Sequence, residues 1–555
     1  MTDCLDSVLK EHTCLRRSAV LSCTLLLLCL MAAGSLQAAD VTVAFDKHLR
    51  EWDGFGANYV EVRHTRDYAV WPQDYSGFKY LSKAERDEII DLIFGDNGLR
   101  VSLVKMFLDP YHEQTPDNEN PDVIRMSGFD HTSTTQHMRY FAQEGLKKTR
   151  ARGEDLQILA GLYAAPGWAI KQGAWGRDLI PEQKFELAEY MISWAKYLRN
   201  VERLPVKYLS LHNEEAGNDS WNAKGYPKTN VMTGRMDRGL LWPKEQIADY
   251  LGFMRAKLDA QGLHEVGLTP GETRAWGFLN SQSIPDEIIS KARAMKNLGL
   301  ITSHGFMRYE TGNKLFRPAD YDGTGIEKLL AQNPDLHAWT TSCRLDGFTK
   351  DVADIGYMEQ MRLQIYETKV NGIIPWAIIH CKWESDRVMD GSFKRSGNSN
   401  SPIHVIRTSE TSGYYEVRKG YYFYKQLTRA GRPGMQVADV SSNDNAFKVI
   451  AFASGDTDNP DSFIVFNTSD SNKPLTIALS GTDATQFTGH LTSESNAGDK
   501  NYESIGVVTA DNDAISHSIP ARSSVVFFAR PTSNTVTGND TNPEPSPTGW
   551  SSLDI

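Results

Sequence analysis

Residues 206–216 read VKYLSLHNEEA, a short apolar run that stops abruptly in Asn213, Glu214 and Glu215. Tyr208, Leu209 and Leu211 suit a core strand. An acidic pair beside an amide has no packing purpose at a strand end, because a buried carboxylate costs free energy unless it is paired or hydrogen-bonded. It does suit proton transfer, and in parallel α/β folds the carboxyl ends of strands are where active sites form. Taken alone the segment also reads as a solvated acidic loop.

The elements around it favour the first reading. Eight short apolar runs alternate with amphipathic helical patterns: 52–60, 98–108, 156–163, 206–211, 265–269, 300–305, 336–341 and 373–379. Ser82 and Glu85 form the signature of a capping box that opens a helix ending at Gly95. Pro181 precedes a helix with Leu187, Tyr190, Met191, Trp194 and Leu198 on one face. Pro243 precedes another with Ile247, Leu251, Met254 and Leu258 inward, and Met358, Met361 and Ile365 repeat the pattern. Eight strand–helix units predict an α/β fold, a (β/α)8 TIM barrel with an appended C-terminal β-sandwich domain. A doubly wound sheet lacks support, since no Gly-rich phosphate loop follows the first strand.

The predicted domains are a secretory signal over 1–39, an N-terminal strand over 40–51 that packs on the sandwich, the barrel over 52–409, the sandwich over 410–530 and a tail over 531–555. Arg16 and Arg17 precede an apolar run from Ala19 to Ala33 that is short for a membrane span, so the chain reads as exported, with no span in the mature part. Alternating runs between Asp, Asn, Ser and Gly turns define the sandwich. The tail is rich in Pro, Ser, Thr and Asn. A net charge of −11 argues against a general nucleic-acid binder. Four of six cysteines lie in the signal; Cys343 and Cys381 remain as a candidate disulfide across the mouth of the site, or as two free thiols.

Glu51-Trp52-Asp53-Gly54-Phe55-Gly56, Tyr163-Ala164-Ala165-Pro166-Gly167-Trp168, His212-Asn213-Glu214-Glu215 and the passage Gly420-Tyr421-Tyr422 through Arg429, Arg432, Pro433 and Gly434 together resemble glycoside hydrolase family 30 and the wider retaining clan of (β/α)8 glycosidases. The resemblance spans most of residues 40–530. It implies that Glu214 is the general acid/base and that Asn213 binds the sugar hydroxyl beside the anomeric carbon. A glycosidic oxygen leaves poorly until protonated, and burial with a second negative charge keeps one carboxylic acid protonated for that task. Glu215 points away along the strand and reads as structural.

The second carboxylate departs from the family. Its nucleophile Glu belongs at the end of the seventh strand, where this chain has His337-Ala338-Trp339-Thr340-Thr341-Ser342-Cys343-Arg344. Glu272, after the fifth strand, is the favoured replacement and Glu384 the second choice; as a loop acid, Glu272 would instead pair with Arg274. A moved carboxylate serves as nucleophile, or as the base of an inverting enzyme. Another nucleophile, or a barrel that only binds glycan, are the alternatives.

Trp168, Trp175, Trp221, Trp276, Trp339, Trp376 and Trp383 crowd the strand ends, where flat rings stack on sugars. Trp168 and Trp376 are the leading subsite candidates, followed by Trp339 and by His304, which also reads as a satisfied core histidine. Arg177, Arg274, Arg308, Arg344, Lys382 and Arg387 gather on the same loops and suit an anionic sugar, a uronate or sulfate ester, with Arg274 as a substrate-binding candidate. Ordinary solvated loops account for them equally. Neither metal cluster nor cofactor motif is evident. The expected partner is a carbohydrate substrate; the oligomeric state is not legible.

Overall fold

The computed structural model describes residues 40–62, 73–117, 123–171, 179–214, 242–310, 315–345, 353–386 and 401–531. Glu215, Trp175, Trp221, Arg177, Arg387, the signal segment and nearly all of the tail lie outside the described residues.

The eight apolar runs form eight parallel strands, Gly54–Asn58, Leu103–Leu108, Gln157–Leu162, Val206–Ser210, Gly267–Thr269, Ile301–Ser303, Ala338–Arg344 and Gly372–Trp376. Each pairs with the next, and the eighth returns to the first at Gly372↔Gly54. The fifth and sixth meet through the bridges Leu268↔Leu298 and Thr273↔Ser303, which close the circle. Leu103, Leu159, Leu300, Trp339 and Ile374 fill the interior at its floor. Side chains alternate along a strand, so the next inward positions, two residues on, belong to the layer above.

Helices jacket the barrel where the sequence patterns place them. Ser82 caps Lys83–Phe94 with a complete capping box, and Ile89, Ile90, Ile93 and Phe94 face the core. Lys184–Asn200 buries Leu187, Tyr190, Met191, Trp194 and Leu198; Lys244–Ala260 buries Ile247, Leu251, Met254 and Leu258. No helix among the described residues is long and apolar enough to cross a membrane.

The C-terminal domain is one nine-stranded sheet folded over its own core of Phe447, Val449, Phe463, Ile477, Phe487 and Phe527. Val41–Glu51 lies within it, antiparallel to Gln436–Ser442 and parallel to Lys473–Ser480. Between barrel and sheet sits the helix Lys419–Ala430, whose Tyr424 hydroxyl donates to Gly56 O at 2.7 Å in the first barrel strand. Trp52 packs on Phe55 and Phe452 at ring separations of 4.8 and 5.4 Å and joins the two cores.

Trp339 corrects the sequence reading. It is fully buried at the floor, its Nε1 donates to Asp53 Oδ2 at 2.6 Å, and it has no face open to a ligand. The two cysteines are free: Cys343 is sealed in the barrel core, and Cys381 packs beside Gly77. Burial pushes the Cys343 thiol far up and that of Cys381 up to about 12, so neither is a ready thiolate. Asp53→Ala would leave the Trp339 N–H buried without an acceptor; a loss of about 1–3 kcal/mol in urea unfolding is expected, with the far end of the barrel undisturbed. An unchanged midpoint would show that the floor does not depend on this bond.

Candidate active site

The backbone ladder between the fourth and fifth barrel strands runs past both. Glu272 N–H donates to His212 O at 2.9 Å, and Glu214 N–H donates to Glu272 O at 2.7 Å. One strand further round, His304 N–H donates to Thr273 O at 2.8 Å. Parallel register therefore delivers Glu214, Glu272 and His304 side by side at the carboxyl ends of three consecutive strands. Gly271 makes the turn before Glu272 with φ +93°, and a Cβ there would stand 2.2 Å from the His212 ring. Glu214 itself has φ 47°, a left-handed value that costs a non-glycine residue about 1–3 kcal/mol and concentrates at functional sites.

The side chains converge. His304 Nδ1 lies 3.0 Å from Glu214 Oε1, and its Nε2 lies 3.7 Å from Glu272 Oε2. From across the barrel, Lys105 Nζ donates to Glu272 Oε2 at 2.7 Å, and it stands 3.5 Å from His304 Nε2 and 3.4 Å from Ser342 Oγ. Lys105 and Glu272 are shut away from solvent, at 1 % and 0 % side-chain exposure; Glu214 opens to it at 22 %.

Burial by itself would raise the Glu272 pKa, but the Lys105 charge and the His304 bond outweigh it and hold the carboxyl down at about 2. Burial pulls the Lys105 ammonium below its usual value, against the pull of Glu272. Burial and Lys105 both oppose a proton on His304; Glu214 and Glu272 on its two sides outweigh them, and its pKa is raised. The cluster thus holds one locked carboxylate, one accessible carboxyl and an imidazole between them.

An aromatic wall adjoins it. Lys105 Nζ sits 4.8 Å over the Phe107 ring; Phe107 meets Tyr163 and Trp376 edge-on at 5.5 and 5.8 Å, and Trp376 stacks on Tyr75 at 5.8 Å. Trp168 stands apart, half-buried, its Nε1 donating to Glu113 O at 3.1 Å. Asn213 is buried and bridges Glu272. Arg274 lies over Phe278, and the partner of Glu272 is Lys105. Glu384, in the turn after Ile379–Trp383 of a separate three-stranded sheet, accepts from Tyr414 of that sheet at 2.9 Å. Arg308 forks onto Asp320, Arg344 covers Phe306, and Trp276 donates to Thr340 and Gln364 from a buried position. Lys105, Ser342, Phe107, Tyr163 and Tyr75 escaped the sequence reading as site residues. For Lys105 the signal was a lone charge inside the otherwise apolar strand LVKMFL.

A barrel of this kind, with an N-terminal strand completing a C-terminal sheet, has the fold of family 30-like glycosidases. A family 30 endoxylanase from Clostridium papyrosolvens C71 superposes with a TM-score of 0.58 at 15% identity, over 89% of this chain and all of that one. An endo-β1,6-glucanase gives 0.59 at 14% over 89% of this chain and 94% of that one; a conserved exported protein from Bacteroides fragilis gives 0.62 at 14% over 88% and 99%. No family model and no curated protein matches the chain.

Lys105→Met leaves the Glu272 carboxylate buried without its counter-ion and is expected to cost about 3–5 kcal/mol in urea unfolding; Lys105→Met with Glu272→Gln should recover most of it. The folded pKa of Glu272 lies below its ordinary 4.5, so its ionised form contributes stability above that pH, and the contribution is lost as pH falls towards 2. Wild type should therefore lose stability more steeply across that window than the double variant. Parallel acid limbs would show that the pair is not the titrating unit.

Proposed function

We propose that the chain is an exported glycoside hydrolase that cleaves O-glycosidic bonds of a poly- or oligosaccharide, with Glu214 as proton donor. The observation that carries this reading is the Glu214–His304–Glu272 row at the barrel mouth, two carboxyl groups held in unlike environments on either side of one imidazole. Unlike environments are what divide acid from base between two carboxyl groups. Glu214, open to solvent, protonates the glycosidic oxygen, and Asn213 beside it holds the neighbouring sugar hydroxyl. Trp376 with Tyr75 and Phe107 forms the stacking wall, and Trp168 is a more distant subsite.

Glu272 is kept ionised by Lys105, and its Oε1 is buried with no hydrogen-bond partner among the described residues. It is a ready acceptor for the proton of an attacking water. An imidazole standing between the two carboxyl groups, 3.0 Å from one and 3.7 Å from the other, supports the wider spacing of an inverting pair over the closer spacing of a retaining one. Arg274, Arg344 and Lys382 suit a uronate or sulfated sugar.

One observation favours a second reading, a glycan-binding protein on a barrel that no longer hydrolyses. Glu272 is wholly buried, and the seventh strand offers Thr341 or Ser342 where the family resemblance places a nucleophile.

Hydrolysis of a panel of neutral, uronate-bearing and sulfated polysaccharides, with proton NMR of the first product, separates the two. Glu214→Gln is expected to lower kcat by about 10²–10⁴-fold with binding retained, and the product anomer should be inverted. A retained anomer would take the base role from Glu272. Binding without turnover in wild type would give the site to the second reading.

A further inference from the structure

A second acidic group lies away from the Glu214 row. The loop after the second barrel strand meets the helix Lys184–Asn200 where the Tyr190 hydroxyl donates to Asp109 O and accepts from His112 N–H at 3.3 Å. Along the same contact, one carboxylate oxygen from each of Asp117, Glu186 and Glu189 lies within 4.8 Å of the other two. Glu186 and Glu189 are three residues apart and so share one helix face. Glu113 stands close enough for its charge to act on all three.

Arg125 Nε pairs with Asp117 Oδ2 at 2.9 Å. Glu186 occupies the first helical turn, where the helix dipole favours an anion. Glu189 lies one turn deeper in the same helix. It is 3 % exposed, and neither carboxylate oxygen has a hydrogen-bond partner among the described residues. The Arg125 N–H and the Lys257 ammonium face it without closing such a bond. A carboxylate buried in that state is costly unless something else completes it.

We propose that Asp117, Glu186 and Glu189 form a binding site for a hard divalent cation, with calcium the best fit. All the donors are oxygens, which selects against zinc and other soft ions. An ion bonded at ~2.3–2.6 Å would span the oxygen separations seen here, and calcium tolerates irregular sets completed by water. Asp117 is only partly buried and gives the ion a way in. The bound ion would clamp the loop to the helix. Because Trp168 donates to Glu113 O, the clamp would also steady the turn that carries that indole. The sequence reading found no metal cluster because the ligands come from two elements far apart in the chain.

The test uses the full chain stripped with a chelator. Terbium, a calcium-like probe, is titrated while its emission is followed on tryptophan excitation, and calcium is then added as competitor. Saturable emission displaced by calcium is expected, with a Tm rise of about 2–3 °C at a hundredfold excess of calcium over its Kd. Glu189→Gln should weaken both by about tenfold or more. Its metal-free Tm should match or exceed wild type, since a buried charge is gone. If that variant fails to fold, Asp117→Asn on the open side carries the same expectation. Wild type without saturable emission or Tm shift, or a folded variant titrating like wild type, overturns the proposal.

Discussion

A single ion pair inside the barrel organises the rest of the site. Lys105 and Glu272 come from opposite walls and meet in the barrel interior, shut away from bulk solvent. Neither charge could stand there alone, so each fixes the other's position and protonation state. Glu272 in turn holds the inner edge of His304, whose outer nitrogen meets Glu214. The accessible carboxyl is therefore oriented from below, through a chain of contacts rooted in a buried ion pair.

The same pair lies beside the seventh strand, at Ser342. Family resemblance places a glutamate there, facing the barrel axis. In this chain the Lys105 ammonium faces Ser342 across that space, while its counter-charge enters from the fifth strand. One buried cation is balanced by that one carboxylate. Ser342 is small and neutral, which suits a position beside an ion pair already balanced.

What could be read from the sequence divides by length scale. The barrel was legible because its signals are local: eight apolar runs, a capping box at Ser82, prolines ahead of helices. Glu214 and Glu272 were legible as strand-end acids. Height along a strand was not. Trp339 and Trp376 look alike on paper, yet one occupies the floor against Asp53 and the other the wall against Phe107. That difference depends on register between strands, which no single segment encodes. Lys105 was missed because its meaning lies in Glu272, more than a hundred residues away. The strand Asn501–Thr509 was also missed, since most of its residues are exposed and it carries no apolar alternation.

The placement of Val41–Glu51 has a consequence for synthesis. This strand leaves the ribosome before any of the barrel, but its partners Gln436–Ser442 and Lys473–Ser480 follow the whole of it. At ~5–20 residues per second, tens of seconds separate them. Throughout that interval the first strand is an unpaired edge, and the barrel grows as an insertion between two halves of another domain. Closing the C-terminal sheet therefore joins the strand ahead of the barrel to the strands behind it.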